Sequence, residues 1–244
     1  MDDTFFARAK LEEIEVFGVR IRFPVRYFDW SSITAAFPAP ADKVREALPS
    51  DKLKPVQVTP GIATVALIAM EYRAVEGLAP YNEFAVMVPV MYETSANVPG
   101  LPGYYVLHMP VTTEEARLGG VEIYGFPKFI AEISFEDAGK MCRCRVRAEG
   151  KDIIILEVDK LVTEPQSEDI YTYTVKHDQL LRTLVQAQGQ NSISDVRGGA
   201  SYTLGDHPIA EELRALEMDK TSLLHRYAPQ MRSMLHQPGE RLPL

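Results

Sequence analysis

One lysine set in an apolar, aromatic run is the residue of this chain best suited to covalent chemistry: Lys128, in Tyr124-Gly125-Phe126-Pro127-Lys128-Phe129-Ile130. The chemistry is nucleophilic addition to a carbonyl. A free lysine amine has a pKa near ~10.4, so at neutral pH only about one in a few thousand is uncharged and able to attack. Burial among Tyr124, Phe126, Phe129 and Ile130 disfavours the ammonium, and each ~1.4 kcal/mol of that bias multiplies the reactive fraction about tenfold. Pro127 contributes geometry. It fixes its own φ, lacks an N–H and biases Phe126 towards extended backbone, so a strand can be interrupted where the amine must enter a cavity.

Other residue types with chemical potential read as structural. His108, between Leu107 and Met109 on an apolar strand, is expected to be a hydrogen-bonded core histidine, and His207 beside Asp206 part of a helix cap. No histidine pair has i, i+4 metal spacing with a third ligand, and no serine sits in a Gly-x-Ser-x-Gly elbow. Cys142 and Cys144 share one face of a strand, in a poor geometry for a disulfide, and read as reduced core residues of a cytoplasmic protein. Neither a metal nor an organic cofactor is expected. Arg143, Arg145 and Arg147 alternate on a strand, placing three cations on a face that is solvated or meets another subunit, paired with Glu157 and Asp159.

The elements that must position Lys128 are mostly strands. Gly61 to Met70 is apolar on both faces and so buried; Glu83 to Tyr92, Tyr104 to Val111 and Val121 to Phe126 follow. Residues 113–117 read as a helical turn closed by Gly119 and Gly120. A hairpin joins Met141 to Ala148 with Ile153 to Lys160, and Tyr171 to Lys176 is another strand. Helices are predicted from Asp42 to Leu48, from Pro208 to about Leu216, and from Thr221 through Leu223, Leu224, Tyr227 and Met231. No βαβ alternation suggests a Rossmann or TIM architecture, and no repeat or linker divides residues 1–244, so a single α+β domain is expected.

Composition sets the outer limits. With 46% hydrophobic and 25% charged residues the chain is a normal globular sequence. A net charge of −8 argues against a nucleic-acid surface or an anionic membrane, so an anionic substrate needs a local positive site. Met1-Asp2-Asp3-Thr4 lacks the positive start of a secretory leader, and no run approaches the roughly 18 residues of a membrane helix.

Gly120-Val121-Glu122-Ile123-Tyr124-Gly125-Phe126-Pro127-Lys128 resembles the Schiff-base lysine segment of the acetoacetate decarboxylase family, whose pattern is Gly-Arg-Glu and then aromatic-Pro-Lys. Ala69-Met70, Tyr81-Asn82-Glu83 and Val88-Pro89-Val90 resemble the segment with the family's active-site glutamate; Tyr105 to Met109 and Gly199 to Pro208 resemble flanking strands. That family is itself the general example of a lysine activated by desolvation or a neighbouring cation. The resemblance implies an α+β fold around an antiparallel β-barrel or cone with peripheral helices. It also implies a homo-oligomer, and a lyase that decarboxylates acetoacetate or a related small β-keto acid through an iminium on Lys128. Glu83 would position the amine or move a proton, Arg26 would hold the substrate carboxylate, and Phe126 and Phe129 would line the site. Phe129 stands where the family carries a second lysine, which favours desolvation as the activator; a second family glutamate falls near Ala66, and the arginine of Gly-Arg-Glu is Val121. Aldol, retro-aldol or dehydration chemistry on an oxo acid through the same lysine, or a non-catalytic binding role, are the alternatives.

Overall fold

Apolar and polar residues alternate with a period of two over much of the chain, and long strands result. The computed structural model describes residues 4–16, 19–94 and 99–244; Met1-Asp2-Asp3, read above for a leader, lie outside them. A one-turn helix α1 (Thr4–Ala7) and a hairpin of β1 (Glu12–Val16) and β2 (Val19–Phe23) precede β3 (Val25–Pro40) and α2 (Ala41–Glu46). Then come β4 (Leu53–Pro55), β5 (Gln57–Thr59), β6 (Ile62–Val75), β7 (Tyr81–Tyr92), β8 (Leu101–His108) and α3 (Glu114–Tyr124). β9 (Glu132–Ala138), β10 (Met141–Ala148) and β11 (Lys151–Asp159) lead to β12 (Glu164–Lys176), β13 (Gln179–Ser194) and β14 (Ala200–Leu204). The chain continues through α4 (Pro208–Ala215), β15 (Leu224–Leu235) and β16 (Glu240–Pro243). No described helix is long and apolar enough to cross a membrane.

The long strands pair into a ring. β6 pairs with β7, β7 with β8, β8 with β12, β12 with β13, β13 with β15, β15 with β3, and β3 again with β6. Only β8 and β12 run parallel, with Tyr104 opposite Thr172. A sheet that closes in this way buries its own edges and encloses an interior, as the expected α+β barrel or cone requires. β14, β11, β10 and β9 form a separate four-stranded sheet.

Alternation then divides the core in two. Val65, Leu67 and Ala69 of β6 and Phe84, Val86 and Val88 of β7 point outwards, to a core shared with the small sheet, α2 and α4. Ala66 and Met70 of β6, Ala85 and Met87 of β7, and Tyr27 and Trp30 of β3 face the interior, where they meet Tyr124 and Phe126 at the end of α3. Cys144, Val146, Ile154 and Leu156 give the small sheet its apolar face. On its other face Arg143 bonds Glu157 and Glu136, Arg145 bonds Asp152 and Arg147 bonds Glu132. Asp159, expected to join this ladder, lies opposite Met141 in register.

Two elements differ from the sequence reading. Residues 121–124, expected as a strand, are the last turn of α3; Gly119 and Gly120 lie within the helix, and Gly125, left-handed at φ 66°, closes it. The helix expected from Thr221 is instead β15, because β3 and β13 each present an edge to Leu224–Leu235 and the ring closes only with a strand between them.

Candidate active site

Glu83 is on the inner face of β7 with Tyr81 and Ala85, two residues away on either side. Residues 109–111 run beside it: the Phe84 N–H donates to Pro110 O at 3.0 Å, and Glu83 bridges to Val111. The lysine segment lies along these in turn, with Met109 N–H donating to Pro127 O at 3.2 Å and Val111 N–H to Phe129 O at 2.9 Å. The Lys128 N–H returns to Phe126 O at 2.7 Å, closing a three-residue turn centred on Pro127, whose fixed φ suits that place. Two rows of backbone hydrogen bonds therefore set Lys128 over Glu83.

The side chains meet there. Lys128 Nζ donates to Glu83 Oε2 at 2.6 Å, and both side chains are only 6% exposed. Nζ stands 5.5 Å from the centre of the Phe126 ring and 5.8 Å from that of Tyr81. Tyr81, Tyr72 and Tyr27 continue the wall, with ring centres 4.8 Å and 4.7 Å apart, and Trp30 joins at 5.9 Å from Tyr72. Burial first pushes the phenols of Tyr27, Tyr72 and Tyr81 far up, followed by the charge of Glu83 for Tyr27 and Tyr72 and by Tyr27 and then Glu83 for Tyr81, so all three remain O–H groups in the folded protein. Gly120 supplies the remaining side of the lysine: a β-carbon built there would come within 2.4 Å of Lys128 Cδ and 2.6 Å of Cε.

A buried amine touching a carboxylate among aromatic rings can add to a carbonyl and exchange protons with the adduct. Phe126 is part of this enclosure. Phe129 is not: it packs on the outer core, and Ile130 is 47% exposed. Nor is Arg26 brought to the pair. Next to inward-facing Tyr27, it points to the opposite face of β3, where its fork grips Glu76 at 2.6 and 2.8 Å and it stacks over Phe28. Tyr27, Trp30, Tyr72 and Gly120 were missed in the sequence; the available signal was that Tyr72 and Met70, like Tyr81 and Glu83, are two apart on one strand. His108 contacts Glu212 at 3.1 Å, with burial lowering its pKa against the pull of that carboxylate, and His207 Nδ1 caps α4 by accepting from Ile209 N–H. Among the described residues no three His, Cys, Asp or Glu side chains converge as for a metal.

A family model described as acetoacetate decarboxylase matches residues 17–236. The acetoacetate decarboxylase of Burkholderia cenocepacia (strain HI2424) is 32% identical over 108 residues, 44% of this chain and 39% of that protein; the aligned part thus spans about two fifths of the curated relative. Among solved structures, acetoacetate decarboxylase from Legionella pneumophila subsp. pneumophila str. Philadelphia 1 superposes with a TM-score of 0.63 at 18% identity, covering 90% of this chain and 87% of that one. The enduracididine biosynthesis enzyme MppR complexed with pyruvate gives a TM-score of 0.64 at 14% identity, covering 91% of each chain. At such identities the likeness to solved structures speaks to the fold alone.

Proposed function

The chain belongs to the acetoacetate decarboxylase family, and from that premise we propose that it is a lyase that works through an imine on Lys128, decarboxylating a small β-keto acid. The observation that carries this reading is the 2.6 Å contact between Lys128 Nζ and Glu83 Oε2, with both side chains excluded from water.

In this reading Glu83 takes a proton from the ammonium, and the free amine adds to the substrate ketone. The carbonyl oxygen leaves as water, taking one proton from the amine and the one held by Glu83, and the resulting iminium draws the electron pair of the breaking C–C bond as the carboxylate departs as CO₂. A second proton, drawn from water and passed on by Glu83, goes to the enamine carbon, and water then releases the ketone and restores the amine. The amine is walled by the rings of Phe126 and Tyr81, and no second lysine stands beside Lys128 in sequence.

A second reading, aldol-type condensation through the same imine, draws on the fold neighbour MppR, which is also described complexed with the condensation product of pyruvate and imidazole 4-carboxaldehyde. Borohydride reduction with acetoacetate, acetone and pyruvate, followed by intact-mass and peptide spectrometry, tests the proposal. One adduct on Lys128, absent from Lys128→Ala, is expected; no adduct, or one that persists in that variant, would overturn it. CO₂ release from acetoacetate, against carbon–carbon bond formation from pyruvate and an aldehyde, separates the two reactions.

A further inference from the structure

Three hydrogen-bond donors on the inner face of the ring have no partner: Trp30 Nε1, Tyr124 Oη and Thr172 Oγ1. Trp30 is 8%, Tyr124 3% and Thr172 4% exposed. A buried polar group without a partner costs free energy, so native proteins leave few of them, and three on one inner face need a reason.

Ring contacts link two of them to the walls beside Lys128, and the third lies on the inward face of a strand that bonds the backbone of Tyr124. Trp30 touches Tyr72, which touches Tyr81 beneath the amine. Tyr124 stacks on Phe126, the other ring beside Nζ, with centres 5.3 Å apart. Thr172 shares the inward face of β12 with Thr174, whose hydroxyl donates to Tyr124 O. Indole N–H is a donor only, so the missing partner must supply acceptors; a carboxylate does so with both oxygens and donates nothing.

The nearby cations are already matched. Glu83 takes Lys128, and Arg26 is turned to Glu76 on the outer face. Arg226, further along the inner face, is held by both oxygens of Glu168 and by Asn191 at 2.7 Å.

Resting on the imine reading above, we propose that Trp30, Tyr124 and Thr172 are the specificity-determining residues that hold the substrate carboxylate by neutral hydrogen bonds, in place of an arginine. Neutral donors suit a group that must leave uncharged. A guanidinium would stabilise the carboxylate most in the bound acid, before the bond breaks, and that stabilisation would be lost on the way to CO₂. Neutral N–H and O–H groups orient the acid and forfeit less.

The test compares acetoacetate with acetone, the same ketone without the carboxylate, as borohydride-trapped adducts of the full chain. Tyr124→Phe and Trp30→Phe should raise the acetoacetate concentration for half-maximal trapping at least tenfold, while that for acetone moves less than twofold. If Trp30→Phe does not fold, Tyr124→Phe and Thr172→Val, each deleting a hydroxyl and keeping the shape, decide the matter. Equal shifts for both ligands, no shift for either, or wild-type trapping of acetone but not acetoacetate would overturn this assignment and leave the imine standing. Absence of any adduct in the wild type would remove the imine reading and this assignment with it.

Discussion

The methylene stem of Lys128 lies against the bare α-carbon of Gly120, which is the interior of a helix and also the wall of the site. A glycine there costs the helix ~1 kcal/mol relative to alanine, so helical propensity alone would favour a side chain at that position. A β-carbon would instead fall 3.1 Å from Nζ and closer still to Cδ and Cε.

Gly120→Ala should therefore displace the lysine and spare the fold, since the atoms that must yield are the flexible end of one side chain. We expect at least a tenfold loss of borohydride trapping with an unchanged circular dichroism spectrum. Full trapping in this variant would show that the close approach does not position the amine.

Glu83→Gln keeps the shape of the acid and removes its proton chemistry. Turnover should drop by roughly 10²- to 10⁴-fold while the imine still forms. Steady-state rates equal to the wild type would count decisively against a role for Glu83.

Arg26→Gln probes the pair on the outer face. Arg26 first among its neighbours, then Arg22, holds the Glu76 carboxyl below the ordinary glutamate value of ~4.3. A lowered carboxyl stabilises the fold above that range, and the gain disappears as pH falls through the folded-state value. Arg26→Gln should thus lose about 1 kcal/mol or less at pH 7, measured by thermal denaturation, and progressively less as the pH is lowered through the folded-state value of that carboxyl. Acetoacetate trapping should stay within about twofold, the size of a ~0.4 kcal/mol effect; a large loss would restore Arg26 as the carboxylate partner.

Phe129→Lys places a second cation beside Lys128 in sequence but on the outer core in space. Loss of the packed ring should destabilise the protein by about 1–3 kcal/mol. The pH dependence of trapping should hardly move, because the new ammonium can extend to solvent along its stem and is screened within ~8 Å. A marked shift to lower pH would show that like-charge repulsion reaches the amine after all.

Local pattern carried the sequence reading furthest where one neighbour decided the structure. The β10–β11 hairpin, the start of α4 at Pro208 and the doubly apolar β6 follow from short-range rules. The lysine and Glu83 came from motif resemblance, and Phe126 from its place beside Pro127. Tertiary demands were not legible. Gly119-Gly120 reads as a helix stop when the requirement for glycine comes from Lys128, eight residues after Gly120, and the true stop at Gly125 was read as part of a strand. Arg26 failed to reach the site for a simpler reason: one residue of register sends a strand side chain to the opposite face.

The single parallel junction in the ring also sets an order of events. Antiparallel neighbours can meet through a short turn, whereas β8 and β12 can meet only after α3 and the three strands β9 to β11 have been made and folded back. Everything that carries Lys128 belongs to that excursion, while Glu83, Tyr72 and Tyr81 belong to strands paired with near neighbours in the chain. Closing so long a loop costs chain entropy before its contacts repay it, as does the longer span from β3 to β15. The nucleophile thus meets its carboxylate only through long-range closure, and a chain caught short of that junction would be chemically silent.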